Sequence, residues 1–277
     1  MSNHATEVQQ GKRFGFGANW TRFLSVLNDE RIEEAKSSLK RMLNVESLNG
    51  KTFLDVGSGS GLFSLAARLL GAKVHSFDYD PQSVACTAEL KRRYFPDDSW
   101  VVEPGSVLDR DYLSRLGQFD VVYSWGVLHH TGKMWEALGN VAPLVKHEGQ
   151  LFIAIYNKQQ FFSTYWIFVK RLYNRSWPIV QRLFNYGYFL FFAVELFAAD
   201  VLRSRNPILR YKGMRSRGMS VYHDVVDWIG GWPFEVATPE EIFRFFRRQN
   251  FVLTELVTCG GKHGCNEFVF NANTSTK

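Results

Sequence analysis

The sequence predicts an α/β fold in which a parallel sheet is covered by helices and finished by an antiparallel hairpin. Three observations carry this. From Lys51 onward, short apolar runs of strand length alternate with stretches of helical period. A glycine-rich turn, Leu54-Asp55-Val56-Gly57-Ser58-Gly59-Ser60-Gly61, joins the first run to the first of these helices. Two closing runs, 251–258 and 265–271, flank Gly260-Gly261-Lys262-His263-Gly264, whose composition reads as a hairpin turn.

The elements follow in order. Over 30–44, Ile32, Ala35, Leu39, Met42 and Leu43 recur at helical spacing, giving a helix that leads into the core. The strands are read at 52–56, 74–77, 100–102, 121–123 and 151–156. The helix over 62–70 stops at Gly71, and Pro81 opens the next at a position that tolerates proline. The last helix begins at Thr238-Pro239-Glu240-Glu241, a capping box, and carries Ile242, Phe245 and Phe246 on one face. Between the fifth strand and that helix lies an insertion, 157–236, read as helical. The chain therefore divides into an N-terminal lid and helix (1–50), a nucleotide-binding core (51–157), the insertion (158–235) and the closing helix and hairpin (236–277).

Aromatic residues make up 16% of the chain, and the insertion holds much of that surplus. Its densest run, 186–194, is too short for a clean membrane span and reads as a buried helix of a substrate lid, with a helix lying in a membrane interface as the rival. The net charge of +6 is also localised: 170–217 carries +8, and the remainder sums to −2. Three cysteines are too few for a disulfide framework. Cys259 and Cys265 would need two further ligands to hold a metal, so no metal site is expected. The polar segment 1–12 lacks the apolar core of an export signal, which leads to the expectation of a cytoplasmic protein, with peripheral membrane contact as an added reading.

Four motifs in order resemble class I S-adenosylmethionine-dependent methyltransferases, and among them the polyprenyl-quinol and small-molecule branch. They are the glycine turn, Phe77-Asp78-Tyr79-Asp80, Gly105-Ser106-Val107-Leu108-Asp109, and the stretch from Phe119 to His130, which ends Ser124-Trp125-Gly126-Val127-Leu128-His129-His130. The resemblance implies a Rossmann-like seven-stranded sheet and S-adenosylmethionine as cofactor. It further implies that Gly57, Ser58, Gly59 and Gly61 wrap the methionine end above Asp55. Asp78 would hold the ribose, Tyr79 would lie against the adenine, Ser106 and Val107 would meet its edge, and Ser124 and Trp125 would close the site. Many relatives have Asp where this chain has Ser106, so the adenine amino contact falls to Ser106, Asp109 or backbone. The segment Arg13-Phe14-Gly15-Phe16-Gly17-Ala18-Asn19-Trp20 looks like a lid that brings Trp20 to the cofactor, or alternatively an aromatic cap on the sheet edge.

Methyl transfer from a sulfonium is an in-line displacement that requires alignment and exclusion of water. His129 and His130 follow the fourth strand at the ligand-binding edge, and Tyr156 ends the fifth on the same edge; all three are candidates for base or acceptor contact, against a structural role for each. In the insertion, His223 with Asp224 and Asp227 forms a candidate base cluster or diphosphate anchor, against ordinary first-turn acids. Apolar aromatics beside basic residues suit an amphiphilic, hydrophobic small-molecule acceptor: a prenylated phenol or quinol methylated on oxygen, or a prenyl diphosphate methylated on carbon. RNA is the rival acceptor. It ranks lower because dense aromatic runs are more typical of buried surface.

Overall fold

The computed structural model describes residues 4–17, 20, 24–25, 27–202, 226, 228–261 and 264–273. A short helix, α1 (His4–Gln9), precedes α2 (Asp29–Leu43). The α2 helix is delimited by chemistry at both ends. The Asn28 side chain accepts the Arg31 N–H at its start, and Asn44 takes the left-handed conformation at its end. The core then runs β1 (Thr52–Val56), α3 (Leu62–Leu69), β2 (Lys73–Asp78), α4 (Pro81–Tyr94), β3 (Trp100–Pro104), α5 (Arg110–Leu116), β4 (Phe119–Trp125), α6 (Met134–Val141) and β5 (Val145–Tyr156). Two helices of the insertion follow, α7 (Gln160–Arg175) and α8 (Pro178–Leu202), and the fold closes with α9 (Pro239–Arg247), β6 (Phe251–Val257) and β7 (Cys265–Ala272).

These strands form a seven-stranded sheet in the order β3-β2-β1-β4-β5-β7-β6. The pairs among β1 to β5 are parallel, and β7 runs antiparallel to both β5 and β6. The order reverses between β1 and β4, which opens a crevice beyond their C-terminal ends, where open α/β sheets bind ligands. Alternation along the strands supplies a core on each face. Leu54, Val122, Ile153 and Phe268 pack with α6 and α9 on one side. Phe53, Val121, Phe152 and Val269 pack with α2 and α3 on the other. The capping box at Thr238 and Glu241 is formed as read, and it aims Ile242 and Phe246 into the first of these cores.

Among the described residues of the insertion, 160–175 and 178–202 are helical as read, but the run 186–194 is not buried. On α7, Trp166, Val169 and Tyr173 face inward onto Ile229 and Phe234. The Lys170 ammonium donates to the Trp228 carbonyl and lies 4.6 Å from the Trp228 ring centroid. On α8, Phe184, Tyr188 and Phe192 complete this cluster, while Tyr186, Leu190, Phe191 and Val194 face outward. A helix that packs through one face buries only that stripe, so the remaining apolar residues of α8 end on the surface. Among the described residues, no helix is long and apolar enough to cross a membrane.

Phe246 is fully buried, with its ring 4.8 Å from that of Phe270 and 5.6 Å from that of Phe251. Truncation there leaves a cavity where α9 meets the hairpin. Phe246→Ala is expected to cost about 3–5 kcal/mol, read as a lower urea midpoint at unchanged slope.

Candidate active site

The crevice is built around the turn that β1 feeds. Gly57, Gly59 and Gly61 have φ of 80°, 53° and 79°, a region closed to most side chains. Space adds a second constraint: a Cβ at Gly57 would stand 2.4 Å from the Val127 side chain, and one at Gly59 would stand 3.2 Å from the Trp20 ring. At Gly61 the obstacle is different, because a Cβ there would come within 2.8 Å of the Thr87 Cα on α4. Gly61 thus allows α4 to pack closely, and it does not line the cavity. The turn is anchored by Gly57 and Ser58 N–H groups donating to the Phe77 carbonyl at 2.9 and 3.1 Å.

Two carboxylates lie under and beside the turn. Asp55, 2% exposed, accepts the Ser64 hydroxyl, and burial raises its pKa to about 7 with a further push from Asp78. Asp78, at the end of β2, accepts the Gly59 N–H at 2.9 Å and the Asp80 N–H at 2.8 Å. Burial nevertheless raises it to about 6. Tyr123 is the strand neighbour of Asp55, and among the described residues its buried hydroxyl has no partner.

These groups share a cavity of about 570 Å³, within the range of small-molecule sites. One end is lined by Asp55, Gly57, Ser58, Gly59, Asp78 and Tyr79, with Ser106 and Val107 beyond. The other end is aromatic, with Phe14, Phe16, Tyr156 and Trp228. The N-terminal segment crosses the mouth. Phe14 N–H donates to the Trp232 carbonyl at 2.8 Å, Arg13 Nη1 to the His130 carbonyl at 3.0 Å, and Gly17 N–H to Asp80 Oδ2 at 2.9 Å. The Arg13 guanidinium also sits 4.9 Å from the Tyr79 ring centroid.

Of the cofactor positions read from the sequence, Asp55, Gly57, Ser58, Gly59, Asp78, Tyr79, Ser106, Val107, Trp125 and Trp20 line this one cavity. Ser124 departs from its expected place along with Gly61: fully buried, it donates to the Val56 carbonyl at 2.9 Å and so ties β4 to β1. Asp109 caps α5 through the Tyr112 N–H and does not line the cavity, which leaves Ser106 or backbone at that edge.

The two histidines separate sharply. His130 lines the cavity, and its Nδ1 lies 2.6 Å from the Pro233 carbonyl; a carbonyl only accepts, so the proton is on Nδ1 and the Nε2 lone pair is left for a ligand. Burial pulls the pKa of this imidazole down to about 3. His129 is fully buried behind it and accepts the Tyr156 N–H at Nδ1, which makes it a brace for β5 and removes it from the cavity wall. Tyr156 lines the cavity, its ring centroid 5.4 Å from that of His130. His223, Asp224 and Asp227 lie outside the described residues. Asp80, Tyr123 and Trp228 were not singled out as site residues from the sequence. Asp80 carried a visible signal as the cap before Pro81, whereas the aromatic pair comes from distant segments that only the fold unites.

Residues 54–151 match the family model of a methyltransferase domain. The chain is 44% identical over 71 residues to a ribosomal protein L11 methyltransferase of Methylococcus capsulatus, covering 25% of this chain and 24% of that protein. Its counterpart in Prochlorococcus marinus is 34% identical over 119 residues, covering 43% and 31%. The chain spans only 24–38% of the length of such curated relatives. Among solved structures, the complex of the Haloferax volcanii Trm112 methyltransferase activator with its putative methyltransferase aligns with a TM-score of 0.54 at 15% identity, over 95% of this chain and 98% of that one. Magnesium protoporphyrin IX methyltransferase of Synechocystis with bound SAH aligns with a TM-score of 0.53 at 11% identity, over 92% and 95%. At these identities the likeness to solved structures is one of fold. Residues 54–151 are a methyltransferase domain of the class I, adenosylmethionine-dependent type.

The residues present fit S-adenosylmethionine. The glycine turn leaves room that a Cβ would fill, burial raises the pKa of both carboxylates, which a cationic ligand would offset, and the Tyr123 hydroxyl has no partner among the described residues. Gly57→Ala is expected to lower adenosylmethionine affinity at least tenfold by displacing Val127 and the turn. Gly61→Ala should instead cost about 1–3 kcal/mol of stability; titration calorimetry and urea melts separate the two.

Proposed function

We propose that the chain transfers the methyl group of adenosylmethionine to a hydroxyl-bearing, apolar small molecule, with a prenylated phenol or quinol as the leading acceptor class. The observation that supports this most is the aromatic part of the cavity lining, Phe14, Phe16, Tyr156 and Trp228, in which the Phe16 and Tyr156 rings lie 5.0 and 5.4 Å from that of a neutral histidine, His130. When bound, adenosylmethionine supplies an electrophilic methyl on a sulfonium, which a nucleophile displaces in line.

In this reading the chain's own residues divide the work. Gly57, Ser58 and Gly59 wrap the methionine end, with Asp55 opposite its positive charge. Asp78 accepts the ribose hydroxyls, Tyr79 flanks the adenine, and Ser106 and Val107 meet its edge. Trp20 and Trp125 close the cofactor end, and the stretch from Arg13 to Gly17 acts as the lid that excludes water. His130 Nε2 accepts the acceptor's hydroxyl hydrogen and so turns an oxygen lone pair toward the methyl carbon. A conjugate acid near pKa 3 retains that proton only briefly, so it passes on to solvent once the new C–O bond has formed.

Carbon methylation of a prenyl diphosphate is the less supported chemistry, since Arg13 is the only lysine or arginine among the described residues lining the cavity. A macromolecular acceptor, such as that in the name of the ribosomal protein relatives, rests on matches covering a minority of each relative.

Incubation with methyl-labelled adenosylmethionine and host extract should place label in the lipid-soluble fraction; label in RNA or protein would overturn the acceptor class. Asp78→Ala should weaken cofactor binding at least tenfold. His130→Gln should lower kcat by about 10–100-fold with the cofactor KM unchanged. Because His130 is already neutral across pH 5–8, wild-type kcat should show no acid limb near pH 6.5. Such a limb, lost in His130→Gln, would contradict the depressed pKa while leaving its role as base intact.

A further inference from the structure

The α7–α8 hairpin carries a second apolar face that the core does not use. On α7, Phe161, Tyr165, Phe168 and Leu172 fall at intervals of four, three and four residues, and all are exposed, Phe161 at 76%. On α8, Ile179, Leu183, Tyr186, Leu190, Val194 and Phe197 continue the same spacing and are exposed as well. Trp177, between the helices, is 78% exposed. Isolated apolar residues on a surface are ordinary, but two adjacent helical stripes form a contiguous patch of the kind that marks a docking surface.

The charges on the hairpin identify the occupant. Over the hairpin, 160–202, Lys170, Arg171, Arg175 and Arg182 cluster around the turn between the helices, whereas the two acids, Glu195 and Asp200, fall in the last turns of α8; Arg171, Arg175 and Arg182 are exposed. At that turn the exposed charge is of one sign and lies beside Trp177, Ile179 and Leu183, so a partner surface of negative charge and apolar depth complements it. Anionic phospholipid headgroups match the pattern, because apolar and aromatic side chains enter the acyl boundary while arginines stay at headgroup level.

We infer that the outward face of the α7–α8 hairpin docks on the surface of an anionic lipid bilayer. The consequence for acceptor delivery rests on the acceptor reading above. The inner face of the hairpin presents Trp166, 5.3 Å from Trp228, which lines the cavity. One layer of aromatic side chains therefore separates the docked face from the aromatic end of the cavity, a short path for an oily acceptor leaving the bilayer.

The test is flotation of the full-length protein with vesicles of phosphatidylcholine containing 30% phosphatidylglycerol, against phosphatidylcholine alone. Wild type should partition onto the anionic vesicles at least tenfold more strongly, and 0.5 M NaCl should weaken that binding. Phe168→Glu/Trp177→Glu/Leu183→Glu should abolish binding with adenosylmethionine affinity unchanged, which shows that the fold is retained. Arg171→Gln/Arg175→Gln/Arg182→Gln should remove the preference for anionic lipid. Wild type that ignores both vesicle types, or a triple-glutamate variant that still floats, overturns the inference. So does a wild-type dimer that the glutamates convert to monomer, since the face would then belong to a second copy. No acceptor enters this assay, so a wrong acceptor class would show in the labelling experiment and leave the flotation result intact.

Discussion

Two carboxylates at adjacent strand ends, Asp55 buried and Asp78 half-buried in the cavity wall, set the terms for the rest of the site. They sit at the C-terminal ends of β1 and β2 with their pKa values raised by burial, and the charge of Asp78 adds to the rise at Asp55 as that of Asp80 does at Asp78. Burying two like charges is costly unless something compensates. The protein supplies part of the compensation through the Ser64 hydroxyl and the Gly59 and Asp80 N–H groups. The remainder suits a ligand that brings positive charge and donor hydroxyls. The glycine turn answers to the same constraint: its Gly59 N–H goes to Asp78, and its positive-φ glycines leave space beside Asp55 that a Cβ would fill.

Most of this half of the molecule was legible in the sequence. Strand-length runs, the glycine spacing, the acid closing the second strand and the capping box are local signals, and each reports a local physical requirement. Gly61 and Ser124 were misplaced because a motif position cannot say which neighbour requires it. Gly61 answers to Thr87 on α4, and Ser124 to the Val56 carbonyl across the sheet. The adjacent pair His129 and His130 failed to resolve for a similar reason: consecutive residues on a tight 3-10 turn point to different places, one into the core and one into the cavity.

The acceptor half was much less legible. Its wall is assembled from Phe14, Tyr156 and Trp228, residues more than 200 positions apart at the extremes, and no periodicity links them. The insertion gave a clear helical signal, but composition alone could not tell a buried aromatic helix from one whose outer stripe is exposed. What decides it is the number of packing neighbours, a property of topology. That exposed stripe lies on the same helices whose inner face, through Trp166, backs Trp228 in the cavity lining.

If the buried carboxylates hold a cationic cofactor, binding must draw protons off them. Asp55 near 7 and Asp78 near 6 are partly protonated below neutrality, and a positively charged ligand favours the ionised forms, so affinity should climb as pH rises through these values. Calorimetric titration of adenosylmethionine from pH 5.5 to 7.5 tests this directly. The account predicts that affinity rises roughly tenfold or more over that range, with proton release at the acid end, and that Asp55→Asn flattens the rise. Affinity independent of pH in the wild type would contradict it.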